Sequence, residues 1–72
     1  MEFKNNKGIF LQIADSISEK VMEGKYPPGE KMPSVRDLAT EMGVNPNTVI
    51  RSYSELQIRG IIENKRGVGY DV

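Results

Sequence analysis

The sequence from Pro33 to Gly60, P-S-V-R-D-L-A-T-E-M-G-V-N-P-N-T-V-I-R-S-Y-S-E-L-Q-I-R-G, predicts two short helices joined by a tight turn. Ser34 is suited to begin the first helix, because its hydroxyl can accept a hydrogen bond from a free backbone N–H of the first turn. Gly43 is suited to end it, since glycine most easily adopts the left-handed conformation found at helix C-termini. Asn45 and Pro46 then predict a new start, with an N-cap followed by proline at the first helical position.

Each of these two helices has an apolar side, and the second also has a distinct polar side. In the first helix, the apolar positions that recur at helical spacing are Val35, Leu38, Ala39 and Met42. In the second helix, the apolar side consists of Val49, Tyr53 and Leu56, and the opposite side of Asn47, Arg51 and Ser54. A helix with this contrast can enter the DNA major groove as the recognition helix of a helix-turn-helix. Two packed helices with a merely solvated polar side fit this stretch equally well.

The composition excludes several classes of protein. The chain has 72 residues, which allows one domain with a small core, and it contains no cysteine and no histidine. It therefore lacks disulfides, thiolate metal ligands and the commonest general base. It also has no apolar run long enough to span a bilayer and no signal-peptide pattern. We predict a cytoplasmic protein that is not an enzyme and that uses no metal, no cofactor and no membrane.

The charges balance overall but are unevenly distributed along the chain. Lys and Arg number 10, as do Asp and Glu, so the formal net charge is zero, which argues against a strongly basic nucleic-acid binder. Residues 45–72, however, carry Arg51, Arg59, Lys65 and Arg66 against Glu55, Glu63 and Asp71. The N-terminal helix carries Asp15, Glu19 and Glu23 against Lys20. The positive charge is thus concentrated near the predicted recognition helix and the segment after it.

Three segments precede the helix pair. Residues 1–8 are mostly polar and predict an N-terminal arm. From Ile9 to about Glu23 we predict a helix whose apolar side is formed by Ile9, Phe10, Ile13, Ala14, Ile17 and Val21. The connection that follows contains several prolines and a glycine, so it is predicted to be extended, with Tyr26 and Met32 as its apolar anchors.

After the helix pair, residues 61–72 predict a β-hairpin. The first strand is predicted to begin with Ile61 and Ile62, the turn to span N-K-R-G at 64–67, and the second strand to occupy 68–72. The predicted turn places Lys65 and Arg66 beside Gly67 at the tip. A basic hairpin directly after a helix-turn-helix is a wing; the alternative is an ordinary solvated hairpin whose charges protect its edge.

With these elements in order, the chain resembles the N-terminal winged helix-turn-helix domain of the GntR family of bacterial transcription regulators. The resemblance rests on P-P-G-E-K-M-P-S-V-R-D-L-A, G-V-N-P-N-T-V, L-Q-I-R-G-I-I and G-V-G-Y-D-V, which together cover nearly all of residues 27–72. The N-P-N-T-V segment is most similar to the YtrA-type subfamily. The implied fold is mainly α with a small β-hairpin: a three-helix winged helix at residues 9–72, with the helix-turn-helix at about 34–59 and the wing at 61–72.

The resemblance also implies where DNA is contacted. The candidate DNA-binding residues are Ser34 and Arg36 in the first helix of the pair, Asn45, Asn47, Thr48 and Arg51 in the recognition helix, and Lys65, Arg66 and Gly67 in the wing. Many family members carry arginine where this chain has Pro46 and Ile50, so Arg51 is the candidate for the missing cation. Family members continue into a C-terminal domain that binds a small-molecule effector and dimerises. The resemblance therefore implies a homodimeric parent protein, a two-fold symmetric operator in double-stranded DNA, and an effector domain that this chain does not include.

Two functions remain open at this point. The first is sequence-specific DNA binding by a bacterial repressor of this family, which the polar side of the recognition helix and the basic hairpin favour. The alternative is a winged-helix module that binds protein without binding DNA. The zero net charge favours it, as do Leu11 and Met22, which lie off the apolar side of the N-terminal helix. These two residues are either isolated exposed side chains or a contact with another domain or subunit.

Overall fold

The computed structural model describes residues 8–65 and 69–72. In this part of the chain the elements are α1 (Ile9–Met22), α2 (Val35–Met42), α3 (Pro46–Ile58), β1 (Glu63–Lys65) and β2 (Gly69–Asp71). The two strands form an antiparallel sheet in which Glu63 pairs with Asp71 and Lys65 with Gly69. The prediction of three helices followed by a small hairpin is confirmed. The predicted arm lies outside the described residues except for Gly8, and so do Arg66 and Gly67.

The helix ends follow the predicted capping residues. Ser34 is the N-cap of α2, and its hydroxyl accepts a hydrogen bond from the backbone N–H of Asp37 at 3.1 Å. Gly43 ends α2 with φ +69°, a left-handed conformation that glycine adopts without steric strain. Asn45 begins α3 in the same manner as Ser34 begins α2, because its side-chain oxygen accepts from the N–H of Asn47 at 2.8 Å.

The core lies between the three helices, with α1 and α2 both packed against α3. Its buried apolar residues are Ile13, Ala14, Ile17, Met32, Leu38, Ala39, Val49, Tyr53, Leu56 and Ile62. All of the helical members of this set belong to the predicted apolar sides. Fully burying a Val, Leu, Ile or Met side chain of this set contributes about 1.5–3 kcal/mol relative to leaving it exposed. This packing fixes the angle between α2 and α3, and with it the shape of the helix-turn-helix.

The predicted strand boundaries of the hairpin were wrong at three points, one of which is Val72, since β2 ends at Asp71. Ile61 and Ile62 do not belong to β1, which begins at Glu63. The backbone N–H of Ile61 donates to the carbonyl of Leu56 at 2.9 Å and so completes the end of α3, while the side chain of Ile62 is buried in the core. Asn64 and Lys65 were assigned to the turn, yet they lie in β1 and pair with Tyr70 and Gly69.

The connection before α2 is attached to β2. Gly29 donates its backbone N–H to the carbonyl of Val72 at 2.9 Å, and Val72 donates its own to the carbonyl of Glu30 at 2.9 Å. Met32 donates to the carbonyl of Tyr70 at 2.7 Å. A single residue of this connection, Lys31, also forms a β-bridge with Asp71. The hairpin is therefore joined to the segment that leads into α2, and β2 lies between that segment and β1.

Candidate nucleic-acid interface

The start of α2 presents one cation and one hydroxyl to solvent. Arg36 lies in the first turn of α2 and is exposed. Within the described part of the chain its guanidinium makes no hydrogen bond and no ion pair, so it is available for a ligand. Ser34 is also exposed, but its hydroxyl is already occupied as the N-cap acceptor for Asp37. The hydroxyl proton of Ser34 can still be donated to an acceptor outside the protein.

The first turn of α3 holds the three predicted side chains Asn45, Asn47 and Thr48. Asn45 is exposed, and its side-chain oxygen is used by the N-cap. The side-chain amide of Asn47 is exposed and has no hydrogen-bond partner among the described residues. Thr48 is half-buried, and its backbone N–H donates to the carbonyl of Asn45 at 2.9 Å. Asn47 is therefore the one exposed side chain of the three whose donor and acceptor are both free among the described residues.

Arg51 is exposed on α3 but is oriented by α1. Its guanidinium carbon lies 4.1 Å from the centroid of the Phe10 ring, which is the geometry of a cation–π contact. The next residue, Ser52, is buried, and its hydroxyl lies 2.9 Å from the carbonyl oxygens of both Phe10 and Thr48, either of which can accept its proton. Two consecutive residues of α3 thus hold the ring and the backbone of Phe10.

Arg59 was counted among the positive charges of residues 45–72, and in the structure it is paired with two carboxylates. Its Nη1 lies 3.0 Å from Oδ1 of Asp15, and its Nε lies 2.9 Å from Oε2 of Glu55. Nη1 also donates to the hydroxyl of Ser18 at 3.2 Å. The hydrogen bonds to Glu55 and Asp15 raise the pKa of Arg59 above its ordinary value. The charge of Arg59 is balanced inside the domain, where it ties the end of α3 to α1.

The hairpin contributes one described cation, Lys65, and that cation has a partner. Its Nζ lies 3.0 Å from Oε2 of Glu63, and this carboxylate raises the pKa of Lys65 above its ordinary value. Both side chains are largely exposed, so solvent weakens the pair. The other two candidates of the wing, Arg66 and Gly67, lie outside the described residues.

Among the described residues, the helix-turn-helix therefore has two cations without an ion pair, Arg36 and Arg51, and at the start of α3 the exposed amide of Asn47. All three were proposed as candidates from the sequence, but the sequence did not identify Phe10 as the residue that orients Arg51. No local pattern could have done so, because these two residues are on different helices and meet only in the folded domain. Ser54, the remaining member of the polar side of α3, is exposed as predicted.

Two large apolar side chains at helix ends are exposed. Met22 at the end of α1 is 87% exposed, and Ile58 at the end of α3 is 81% exposed. Leu11, which the sequence grouped with Met22, is half-buried. Ile58 was not anticipated as an exposed residue.

Within residues 8–65 and 69–72, acidic side chains nowhere gather in a group of three or more that could hold a metal ion. None of the helices in the same residues has the length and apolar character needed to cross a membrane.

Comparison with known proteins gives the same family for the whole described fold. Residues 9–72 match the family described as bacterial regulatory proteins, gntR family. The HTH-type transcriptional regulator YhcF of Bacillus subtilis (strain 168) is 47% identical over 68 residues, which are 94% of this chain and 56% of that protein. The HTH-type transcriptional repressor YtrA of the same organism is 46% identical over 66 residues, which are 92% of this chain and 51% of the repressor.

A solved structure agrees with these relatives. YtrA from Sulfolobus acidocaldarius, a GntR-family transcription factor, superimposes with a TM-score of 0.92 at 38% identity, covering 99% of this chain and 74% of that one. The chain spans about half the length of the two curated relatives, at 56% and 51%. The matched family, the identities and the fold lead to one conclusion: this chain belongs to the gntR family of bacterial regulatory proteins and has their winged helix-turn-helix fold.

Proposed function

We propose that this chain binds double-stranded DNA in a sequence-specific manner, as the DNA-binding domain of a bacterial transcription regulator. The observation that carries the proposal is the free amide of Asn47 on the first turn of α3. It lies at the N-terminal part of a recognition helix, which is the part that contacts base edges in a helix-turn-helix. Arg36 and Arg51 provide uncompensated positive charge on the same pair of helices.

The chemistry of these groups suits the two kinds of contact that DNA binding needs. An asparagine amide offers one donor and one acceptor, which match N6 and N7 of adenine in the major groove. Arg36 and Arg51 can contact phosphates or a guanine edge, and phosphate contacts supply much of the affinity. The N-terminal N–H groups of α2 and α3 add partial positive charge for phosphate oxygens. We propose Ser34, Asn45 and Thr48 as supporting contacts, and Lys65, Arg66 and Gly67 as the contact of the wing.

The domain division follows from these roles. We propose that residues 9–72 form one DNA-binding domain, with the helix-turn-helix at about 34–59 and the wing at 61–72. The curated relatives extend well beyond the matched part, at 56% and 51% coverage. We therefore propose that a whole regulator of this kind dimerises and binds its effector through a C-terminal domain outside residues 9–72. Since B. subtilis YtrA is named a repressor, repression is the direction of regulation that we propose. The site of action is the cytoplasm, and no catalytic step is needed.

A dimer would place two recognition helices about 34–36 Å apart, one turn of DNA, and would read a two-fold symmetric operator. A single module buries only about 600–1,000 Å² of its surface on DNA, which limits its affinity. The zero net charge also gives little long-range attraction to phosphate. We therefore expect the isolated domain to bind weakly, and a dimer to bind far more tightly because its second half-site is engaged at high effective concentration.

The experiment is a selection of binding sites from a pool of random duplexes, using the chain fused after Val72 to a dimerising coiled coil. The proposed function predicts enrichment of a two-fold symmetric sequence, and a steep loss of affinity for it as salt is raised. The matched control is the same fusion carrying Asn47→Ala, which should enrich no sequence or a more degenerate one. A fusion that enriches no sequence and binds duplex DNA without salt dependence contradicts the proposal.

The second candidate function is a protein-binding module, and the exposed side chains of Met22 and Ile58 favour it. In that case DNA binding should be absent, and Met22→Ser with Ile58→Ser should abolish binding to the protein partner. If the double variant retains full DNA affinity while Asn47→Ala loses it, the first function holds. If the unaltered fusion binds no DNA and the double variant loses its protein partner, the second function holds.

A further inference from the structure

Tyr53 joins three elements of the domain. Its side chain lies on the inner side of α3 and is completely buried, with 0% exposed. Its hydroxyl donates a hydrogen bond to the carbonyl oxygen of Pro33 at 2.7 Å, directly before the N-cap of α2. Its ring meets the Tyr70 ring of β2 edge to face, with centroids 4.7 Å apart and 66° between the planes. One side chain of α3 thus contacts both the start of α2 and the hairpin.

The segment that leads into α2 is held between Tyr53 and β2. On one side, Met32 donates its backbone N–H to the carbonyl of Tyr70 at 2.7 Å. On the other side, the carbonyl of Pro33 accepts from Tyr53, and Pro33 has no N–H with which to make a further backbone bond. Burial raises the pKa of the Tyr53 hydroxyl well above its ordinary value. The hydroxyl therefore stays protonated and keeps donating throughout the neutral range.

We propose that Tyr53 is a positioning residue that fixes Arg36 relative to the DNA-binding side of α3. This inference rests on the proposed function. Arg36 lies in the first turn of α2, so its location follows the location of the N-terminus of that helix. Removing the hydroxyl leaves the Pro33 carbonyl without its donor and allows the start of α2 to shift. Since the aromatic ring still fills the core, α3 keeps its packing and Asn47 keeps its place.

The test is a double-mutant cycle with Tyr53→Phe and Arg36→Ala. Affinity is measured by fluorescence anisotropy on a labelled duplex that carries the sequence recovered in the site selection. We expect Arg36→Ala to weaken binding about tenfold in the otherwise unchanged chain but only about twofold in Tyr53→Phe, a coupling typical of residues that act together. Additive losses in the cycle overturn the positioning role.

Ser52→Ala provides the matched control, because it also removes a buried hydroxyl from α3. That hydroxyl lies 2.9 Å from the carbonyl of Phe10 on α1 and has no bond to α2. We expect its effect to be additive with that of Arg36→Ala. If Tyr53→Phe and Ser52→Ala are equally coupled to Arg36→Ala, the effect comes from a general loss of core stability, and the inference is overturned. If Arg36→Ala binds DNA with unchanged affinity, Arg36 does not contact DNA and the inference is wrong. The DNA affinity of Asn47→Ala tests the proposed function separately.

A second measurement needs no DNA. The backbone N–H of Leu38 donates to the carbonyl of Ser34 at 3.0 Å and closes the first turn of α2. Relative to the amides of α1, the Leu38 amide should exchange with deuterium faster in Tyr53→Phe but not in Ser52→Ala. Unchanged exchange at Leu38 overturns the inference whatever the DNA result. If Tyr53→Phe does not fold, the test is the rate at which the Tyr53 hydroxyl proton exchanges with solvent in the unaltered chain. We expect slow exchange, and fast exchange would overturn the proposal.

Discussion

Arg59 at the C-terminus of α3 forms an ion pair with Asp15 in the middle of α1, with 3.0 Å between Nη1 and Oδ1. A second carboxylate, that of Glu55, lies 2.9 Å from Nε of the same guanidinium. The only arginine of the described chain that is paired with two carboxylates thus serves to pack α3 on α1. The other two arginines of the described chain, Arg36 and Arg51, make no ion pair with the described residues, and we propose them as DNA contacts.

Arg59→Gln should therefore lower stability and leave DNA affinity nearly unchanged. The side chains of both ion pairs are about one-third exposed, so solvent screens them, and we expect a loss of about 1 kcal/mol in the free energy of unfolding. Urea denaturation measures the first effect and anisotropy on duplex DNA the second. A drop in DNA affinity larger than that of Arg51→Gln would mean that Arg59 reaches the phosphates after all.

Arg51→Gln should show the opposite pattern. The contact with Phe10 is worth only about 0.5–1 kcal/mol at an exposed site, so stability should change little. Affinity should fall on every DNA sequence, and the slope of log affinity against log salt should become smaller by about 1, as expected for one lost phosphate contact. Phe10→Leu keeps the charge but removes the ring, and should give an intermediate loss with the slope unchanged. An unchanged slope in Arg51→Gln would exclude Arg51 from the phosphate contacts.

The wing should affect binding but not folding. Lys65 is exposed and pairs only with the exposed Glu63 among the described residues, so replacing Lys65 and Arg66 by alanine should leave the thermal midpoint nearly unchanged. DNA affinity should fall with a shallower salt slope, because fewer counterions are released. Glu63→Gln is the matched control, and it should strengthen binding by removing a competing carboxylate. If the double alanine variant binds as tightly as the unaltered chain, the hairpin is only a cover for the core.

Stability should fall at alkaline pH, and Tyr53 should account for part of that fall. Burial raises the pKa of Tyr53 in the folded chain, whereas in the unfolded chain the hydroxyl titrates near its ordinary value of about 10. Below about pH 10 both states are protonated and the stability is fully present; above it the unfolded state loses a proton that the folded state keeps, and stability declines. Thermal midpoints measured from pH 8 to about pH 11.5 should decline less steeply in Tyr53→Phe. Parallel curves for the two proteins would contradict the assigned burial effect.

Local signals in the sequence were sufficient for the helices. Ser34, Gly43 and the Asn45-Pro46 pair each act within one turn of the residues they cap, so their geometry is determined by the neighbouring sequence. The apolar spacing of each helix identified the buried side for the same reason. Ile62 shows where this reasoning failed, because a β-branched residue that is typical of strands instead fills the core next to the end of α3.

The side-chain partners could not be predicted, because they depend on how the helices pack. Asp15 and Arg59 form an ion pair, and Phe10 and Arg51 stack, although each pair is separated by a large part of the chain. The bond from Tyr53 to Pro33 likewise crosses from one helix to the start of another. As a result, the sequence could not show that the charges of Arg59 and Lys65 are paired with carboxylates of the same domain.

The affinity of Asn47→Ala for two duplexes tests sequence-specific binding by α3 most directly. The duplexes are the one recovered in the site selection and one of random sequence, and Ser54→Ala on the same polar side is the control. Because Asn47 is proposed to read a base edge, its loss should reduce binding to the selected duplex by about 1–3 kcal/mol and change binding to the random duplex little. Ser54→Ala should change neither. Equal losses on both duplexes, or no loss on either, would contradict the proposal that this helix reads DNA sequence.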